Sequence, residues 1–318
     1  MKAMLIFNYG APEVFTPGEI DTPQPRRGEV LVRVRASSVN PVDAAIRSGM
    51  LKSFVRLRLP AVLGVDVAGE VAGLGEGVRR FALGDRVYAF TGIRHGGGYG
   101  EYAAIPERAL ALIPKALDWV QAGTVPGVGA TAYEAFTEQA PLKPGMRVFI
   151  NGAAGGVGTY AVQVAKALGA EITATCSGAK ADLVRDLGAD RVIDYTKEDP
   201  FAAAESFYDV VLNAVRGAPL ARLRPLLRQS GSLVTITADH PGQILTSWLR
   251  NLFSSRRTIP FFVKTSGALL EGLGRFIEEG KVRPMVERTY TWQELAAAHR
   301  HVETGRVTGK LAVLSPTA

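Results

Sequence analysis

The sequence predicts an α/β protein in two parts, on three observations: a β-rich start punctuated by Gly and Pro, a change of texture after Trp119, and a glycine-rich turn joining a strand to a helix. At 318 residues, the chain is long enough for two domains, each with its own core. With 47% apolar and 21% charged residues it has the composition of a soluble globular protein. No apolar run approaches the length of a membrane span.

The first seven residues read as a strand and not as a signal peptide, because Gly10, Pro12 and Glu13 soon follow. Residues 28–36 alternate apolar and polar at period two, the pattern of a half-buried strand, and 67–75 and 85–90 look like further strands. Glycines between them permit tight bends, so a small barrel or curled sheet is expected. A helix is expected around 129–139, then a turn at 141–145. Strands at 147–151, 171–176, 191–195, 209–213 and 231–237 then alternate with helices at 158–168, 180–187 and 220–227. Such alternation means a parallel sheet with helices on both faces. From about Ser266 the pattern shifts again, to a helix through Glu279, short strands and a helix near 295–304.

Cys176 is the sole cysteine, which excludes an intrachain disulfide and a structural zinc site of three or four thiolates, and points to a reducing cytosol. The formal charge of +7 is spread in short pairs such as Arg26-Arg27, Arg79-Arg80 and Arg256-Arg257. No basic stripe is interleaved with aromatics, so neither nucleic acid nor a membrane is an expected partner. The excess charge suits a soluble enzyme that attracts a polyanionic cofactor.

Asn151-Gly152-Ala153-Ala154-Gly155-Gly156-Val157-Gly158 follows one predicted strand and opens a helix. A pyrophosphate needs close backbone approach and positive potential; glycines allow the first and a helix N-terminus supplies the second. The turn therefore predicts a dinucleotide site at Gly152, Ala154, Gly155, Gly156, Val157 and Gly158, with a plain Gly-rich turn as the bland alternative. NAD sites usually end their second strand in Asp or Glu, for the ribose 2′-OH. Here that end reads Thr175 to Lys180 without an acid, and Ser177 and Lys180 suit a 2′-phosphate. NADPH is the expected cofactor, although Lys180 also fits a solvated lysine at a helix start.

The chain resembles the zinc-independent quinone oxidoreductase (zeta-crystallin-like) branch of the medium-chain dehydrogenase/reductase superfamily over nearly its whole length. The resemblance rests on Ser38 to Asp43, Leu63 to Val71, Gly98 to Tyr102, Asn151 through Lys166 with Gln163 in place, Leu187 to Tyr195, and the ending Gly305 to Lys310. It implies a GroES-like β-barrel catalytic domain from residues 1–121 and 259–318, and an inserted Rossmann domain at 122–258. The active site would lie in the cleft between them, and the protein would be a homodimer. Asn40 is expected near the nicotinamide and the substrate carbonyl, with Asp43, Arg47 and Tyr99 lining the same cleft. Asp43 equally suits a helix cap, and Tyr99 a packed barrel aromatic. Thr131 is expected at the nicotinamide ribose, Tyr195 at the adenosine phosphate, and Thr237, Phe261, Phe262 and Val263 at the nicotinamide end. Lys310 joins the cofactor contacts. Ala154 departs from the family, which often has Ser there.

Zinc relatives in the superfamily carry a metal-binding His in a Gly-His-Glu segment, where this chain has Gly64-Val65-Asp66. His95, His240, His299 and His301 are not at ligand spacing with a thiolate, so no metal is expected. Without one to polarise an alcohol or carbonyl, hydride transfer to a quinone or α,β-unsaturated carbonyl becomes the expected reaction. Asn40 or a neighbour would steady the oxyanion, and solvent or Tyr99 would supply the proton. The rivals are an enoyl-thioester reductase, with 240–262 as lid or dimer loop, and a non-catalytic NADPH-binding redox sensor.

Overall fold

The computed structural model describes residues 1–202, 207–236, 247, 249, 251–252 and 254–316. The chain divides into two compact units. One comprises Met1–Ala130, Lys264–Glu278 and Pro284–Ala318; the other comprises Thr131–Val263 and Glu279–Arg283.

The first unit begins with β1 (Lys2–Ile6), β2 (Phe15–Glu19), β3 (Glu29–Val39), α1 (Pro41–Arg47), β4 (Ala61–Val62), β5 (Asp66–Leu74), β6 (Arg86–Phe90), β7 (Tyr102–Pro106), β8 (Leu110–Leu112) and α2 (Trp119–Thr124). Helix α3 (Pro126–Glu134) leads into the second unit and ends in a wider π turn over Ala135–Gln139, where one longer helix was expected. The second unit holds β9 (Arg147–Asn151), α4 (Gly156–Ala167), β10 (Glu171–Cys176), α5 (Ala181–Asp186), β11 (Arg191–Asp194), β12 (Tyr208–Asn213), α6 (Leu220–Leu223), β13 (Leu227–Thr235) and β14 (Arg257–Pro260). The chain then returns to the first unit with α7 (Gly267–Glu278), β15 (Val286–Thr291), α8 (Leu295–Glu303) and β16 (Lys310–Leu314).

In the second unit all six strands are parallel, in the order β11-β10-β9-β12-β13-β14. This is the doubly wound dinucleotide-binding order, and β9 and β12 flank the point where the winding reverses. Strand β13 starts at Leu227, inside the expected helix; Ser230 at φ 65° turns the backbone there. Phe149, Val211, Leu223, Leu226, Leu227 and Leu233 pack one face of the sheet.

The first unit is built on β3, which pairs with β16 at its end and with β5 and β7 along its length. Val30, Val32 and Val34 bury one side of its alternation, with Arg33 exposed between them. A three-stranded sheet, β2-β1-β4, completes the unit. Because β16 lies between β15 and β3, residues after 305 form the interior of a sheet begun near residue 30.

Candidate active site

The glycine turn follows β9, the first-formed strand of the parallel sheet in chain order, and opens α4. Gly152 holds φ at 87°, a conformation that glycine adopts without strain. Gly158 lies so close to the turn that a Cβ there would meet the Gly152 carbonyl oxygen at 2.1 Å and Ala153 Cα at 2.6 Å. Gly155, the residue before α4, has open space: its nearest atom is Gly152 O at 3.6 Å. Ala153, Ala154 and Gly158 are buried, whereas Gly155, Gly156 and Val157 keep part of their surface at the helix start. This cradle fits a dinucleotide pyrophosphate in shape and polarity.

Sequence reasoning missed what fixes the turn. Four polar side chains cross the sheet at the strand ends. Thr175 Oγ1 donates to Asn151 Oδ1 at 2.9 Å, and Asn151 Nδ2 to Asn213 Oδ1 at 2.9 Å. Asn213 Nδ2 reaches Thr235 Oγ1 at 3.3 Å, and Gly152 N–H donates to Thr175 Oγ1 at 3.1 Å. All four side chains are buried, so this satisfied ladder holds the turn in register with the sheet. Polar residues ending otherwise apolar strands are the signal that would have revealed it.

Ser177 and Lys180 follow β10 on a single turn, in which Lys180 N–H donates to Ser177 O at 2.9 Å. An acid does stand nearby, from the third strand in sequence: a Cβ on Gly178 would meet Asp194 Oδ2 at 2.3 Å. Asp194 Oδ1 is held by the Thr196 N–H and hydroxyl, at 3.0 and 2.6 Å. Tyr195 is 56% exposed and available to a ligand. Thr131 and Phe261 are buried, Phe262 is exposed, and Val263 is half-buried. Thr237, with His240, Trp248, Arg250 and Phe253 of the expected lid segment, lies outside the described residues.

In the first unit, Asn40 ends β3 and precedes α1, where Pro41 pre-sets the first helical turn. The Asp43 carboxylate reaches back to accept from Asn40 N–H at 2.9 Å, the reciprocal half of a capping box. Asp43 Oδ1 accepts from Val65 N–H at 3.1 Å. Asn40 Nδ2 donates to Asp66 Oδ2 at 2.8 Å, and its Oδ1 accepts from Lys310 Nζ at 2.7 Å. Ser38 Oγ and Gly127 N–H complete Asp66, at 2.5 and 2.7 Å. Lys310 Nζ also donates to Val39 O at 3.0 Å. The result is one buried network: Asn40, Asp43, Asp66 and Lys310 are all at most 6% exposed.

Burial, reinforced by the Asp66 charge, pushes the Asp43 carboxyl up to about 7. Burial pulls the Lys310 ammonium down, against the attraction of Asp66 and Asp43. Lys310 was expected to touch the cofactor; its ammonium instead locks Asn40. Asn40 was expected to steady an oxyanion, yet its amide oxygen and nitrogen are both engaged within the network.

Asp43 also lines a hollow with Ile46, Leu57, Val62, Ile93 and Arg94, among others. Tyr99 and Arg47 are not among its lining residues. Tyr99 is fully buried with Phe15 edge-on at 5.9 Å, and its hydroxyl lies 3.2 Å from Ser38 O and 3.3 Å from His299 Nε2. That is the packed barrel aromatic of the two readings. Burial drives its phenol well above the ordinary range, and burial followed by the Arg47 charge holds His299 down at about 3. Arg47, 1% exposed, pairs with Glu303 on α8. No group of three His, Cys, Asp or Glu placed to hold a metal ion occurs among the described residues.

Fold and site define a two-unit reductase framework, and comparisons with known proteins agree. Residues 26–115 match the alcohol dehydrogenase GroES-like domain, and 187–313 match the family described as zinc-binding dehydrogenase. A chloroplast envelope quinone oxidoreductase homolog of Arabidopsis thaliana is 33% identical, over 93% of this chain and 92% of its own. An NADPH-dependent alkenal/one oxidoreductase, chloroplastic, from the same plant is 34% identical, over 98% and 79%. The solved quinone oxidoreductase from Coxiella burnetii superposes with a TM-score of 0.88 at 31% identity, over 99% of both chains. The chain belongs to the zinc-independent quinone oxidoreductase branch of the medium-chain dehydrogenase/reductase superfamily. The expected cytosolic location is overturned, because these plant relatives are named as chloroplast proteins. A lone cysteine speaks of reducing surroundings, and several compartments share those.

Proposed function

We propose that the protein is an NADPH-dependent reductase of quinones or other α,β-unsaturated carbonyls, working by metal-free hydride transfer. The glycine cradle carries this reading, because its glycines allow close backbone approach at the start of α4, and a helix start supplies N–H groups of the kind a pyrophosphate needs. The names of the relatives favour the same chemistry. Bound NADPH supplies the hydride. Gly152, Ala154, Gly155, Gly156, Val157 and Gly158 hold the pyrophosphate, with Ser177, Lys180 and Tyr195 at the adenosine end. Thr131, Phe261, Phe262 and Val263 belong to the nicotinamide end. The arrangement of a catalytic domain at 1–121 and 259–318 around a cofactor domain at 122–258, and a homodimer, are part of the proposal; sedimentation tests the last. Purified protein should oxidise NADPH faster with a panel of quinones and enones than alone, and no acceleration by any of them would overturn the reading.

Cofactor choice rests on Ser177 and Lys180. Lys180→Ala should lower the ratio of kcat/KM for NADPH over NADH about tenfold, the worth of one charge-assisted contact to a 2′-phosphate. An unchanged ratio would assign Lys180 to solvent.

Asp43 is favoured over Tyr99 as proton donor on one ground, that it lines the hollow and Tyr99 does not; both side chains are fully buried. Asp43 rises from 3.8 to about 7 on folding, so the folded protein carries the neutral acid below that pH. Between these two values the unfolded chain is ionised and the folded one is not, so this group's contribution to stability is lost as pH rises toward 7. Activity follows the same sign: kcat/KM should be level below pH 7 and fall about tenfold per unit above it. Asp43→Asn should lose about 100-fold and flatten the profile. A profile that keeps its break in Asp43→Asn would move the proton donor elsewhere.

A further inference from the structure

The turn after β10 that carries Ser177 and Lys180 is too short to hold its own shape. It is a single 3-10 turn, Gly178–Lys180, closed by Lys180 N–H to Ser177 O at 2.9 Å, and so short a piece gains little from its own bonding. Its support comes from the neighbouring strand. Cys176 at the end of β10 stands opposite Asp194 at the end of β11, and Tyr195 N–H donates to Cys176 O at 3.2 Å just beyond that pair. This register brings the Asp194 carboxylate against the turn: a Cβ on Gly178 would lie 2.3 Å from Oδ2 and 3.1 Å from Cγ. Gly178 does not hold a positive φ, so its backbone conformation does not require glycine. The missing side chain answers to the carboxylate that fills its place.

Asp194 does not offer itself to a ribose. An acid that binds a ribose 2′-OH must turn a free oxygen to the ligand. Here Oδ1 accepts from the Thr196 hydroxyl at 2.6 Å and from its N–H at 3.0 Å. Oδ2 is enclosed against the turn with no hydrogen bond of normal geometry; Gly178 N–H and Lys197 Nζ, the latter 3.8 Å away, are positive groups that face it. The Thr196 hydroxyl, more than any other partner, holds this carboxyl below the usual range, so it is ionised at neutral pH. A fixed anion thus braces the turn from the side of β11.

We infer that Asp194 is the positioning residue for cofactor choice: it seats the turn at Gly178 so that Ser177 and Lys180 are presented together to a 2′-phosphate, and it does not itself touch the ligand. The inference rests on the proposed use of NADPH and names the residue that enforces it. Two side chains on one turn tell a phosphate from a hydroxyl only while both are held in place. A turn released from Asp194 keeps the same side chains and loses the discrimination.

Calorimetric titration of the full chain with adenosine 2′,5′-bisphosphate and with adenosine 5′-monophosphate tests it, because the two ligands differ only in the 2′-phosphate. The wild-type protein should bind the bisphosphate about tenfold more tightly. Asp194→Ala should weaken the bisphosphate by about tenfold and leave the monophosphate within about twofold. Gly178→Ala, which puts a methyl group where the carboxylate lies, should act in the same direction. Asp194→Asn keeps the shape and the Thr196 contact, so both ligands should stay within about threefold of wild type. The ratio of kcat/KM for NADPH over NADH should follow the same order. Equal weakening of both ligands in Asp194→Ala would make the residue merely structural, and tighter bisphosphate binding by Asp194→Asn would show a carboxylate that faces the ligand. Either result, or an Asp194→Ala protein that binds as wild type does, would overturn the inference while leaving the reductase standing. A wild-type protein that binds the two ligands equally would remove the preference for NADPH, and the inference with it.

Discussion

Gly158→Ala should weaken NADPH binding by about two orders of magnitude. The added methyl group would sit 2.1 Å from the Gly152 carbonyl oxygen and within 2.7 Å of two further backbone atoms, and backbone cannot swing aside as a side chain can. Relief requires the start of α4 to move away from the turn, which withdraws the N–H groups from the pyrophosphate. A loss of about 3 kcal/mol in binding, near 150-fold in Kd, is expected, with a lowered melting temperature from overpacking. Gly155→Ala is the contrast, because its Cβ would find its nearest atom at 3.6 Å; its stability should stay within about 0.5 kcal/mol of wild type. Fluorescence titration with NADPH and thermal unfolding check both. A Gly158→Ala protein with wild-type Kd would show that the turn does not hold the cofactor.

Lys310→Met should destabilise the protein by about 3–5 kcal/mol, the range for removing one partner of a buried ion pair. The ammonium is 3% exposed, donates to Val39 O and Asn40 Oδ1, and stands 3.9 Å from Asp66 Oδ2. Without it, two buried acceptors lose their donor and Asp66 loses its compensating charge. Urea unfolding measures the loss. Adding Asp66→Asn should recover part of it, because the double variant no longer buries an uncompensated charge. A loss below about 1 kcal/mol in Lys310→Met would show that the Lys310–Asp66 pair adds little to stability.

Much of this organisation was legible in the residues, wherever the decisive interactions are local. The alternation at β3, the glycines at 152 to 158, and the helix stops at Gly169, Gly188 and Gly280 express backbone requirements that act over a few residues. Five of the six parallel strands lie where the alternation of strand and helix puts them, but β14 falls in the segment read as a lid or dimer loop, and the strand order itself was not legible. The network around Asn40 was not legible in the same way, because its members come from positions 38, 40, 43, 66, 127 and 310. Asp66 stood in an apolar run from Leu63 to Ala68, and a buried acid there calls for a cation; nothing local says that the cation is Lys310. Tyr99 and Arg47 lie in or near recognised motifs, but motif membership does not say which way a side chain turns. The core took the first and Glu303 the second. The walls of the hollow were invisible for a related reason, since Ile46, Leu57, Val62 and Ile93 lie on four separate stretches.

The position of β16 bears on how the molecule is made. Asn40 and Asp43 leave the ribosome early, but the lysine that orients Asn40 is 270 residues further along and belongs to a strand inserted between two others. The second unit, whose strands are near neighbours in sequence, has all of its sheet available by residue 260, while the first unit still lacks an interior strand. Nascent chains can therefore complete the parallel sheet before the buried network around Asn40 has its last member.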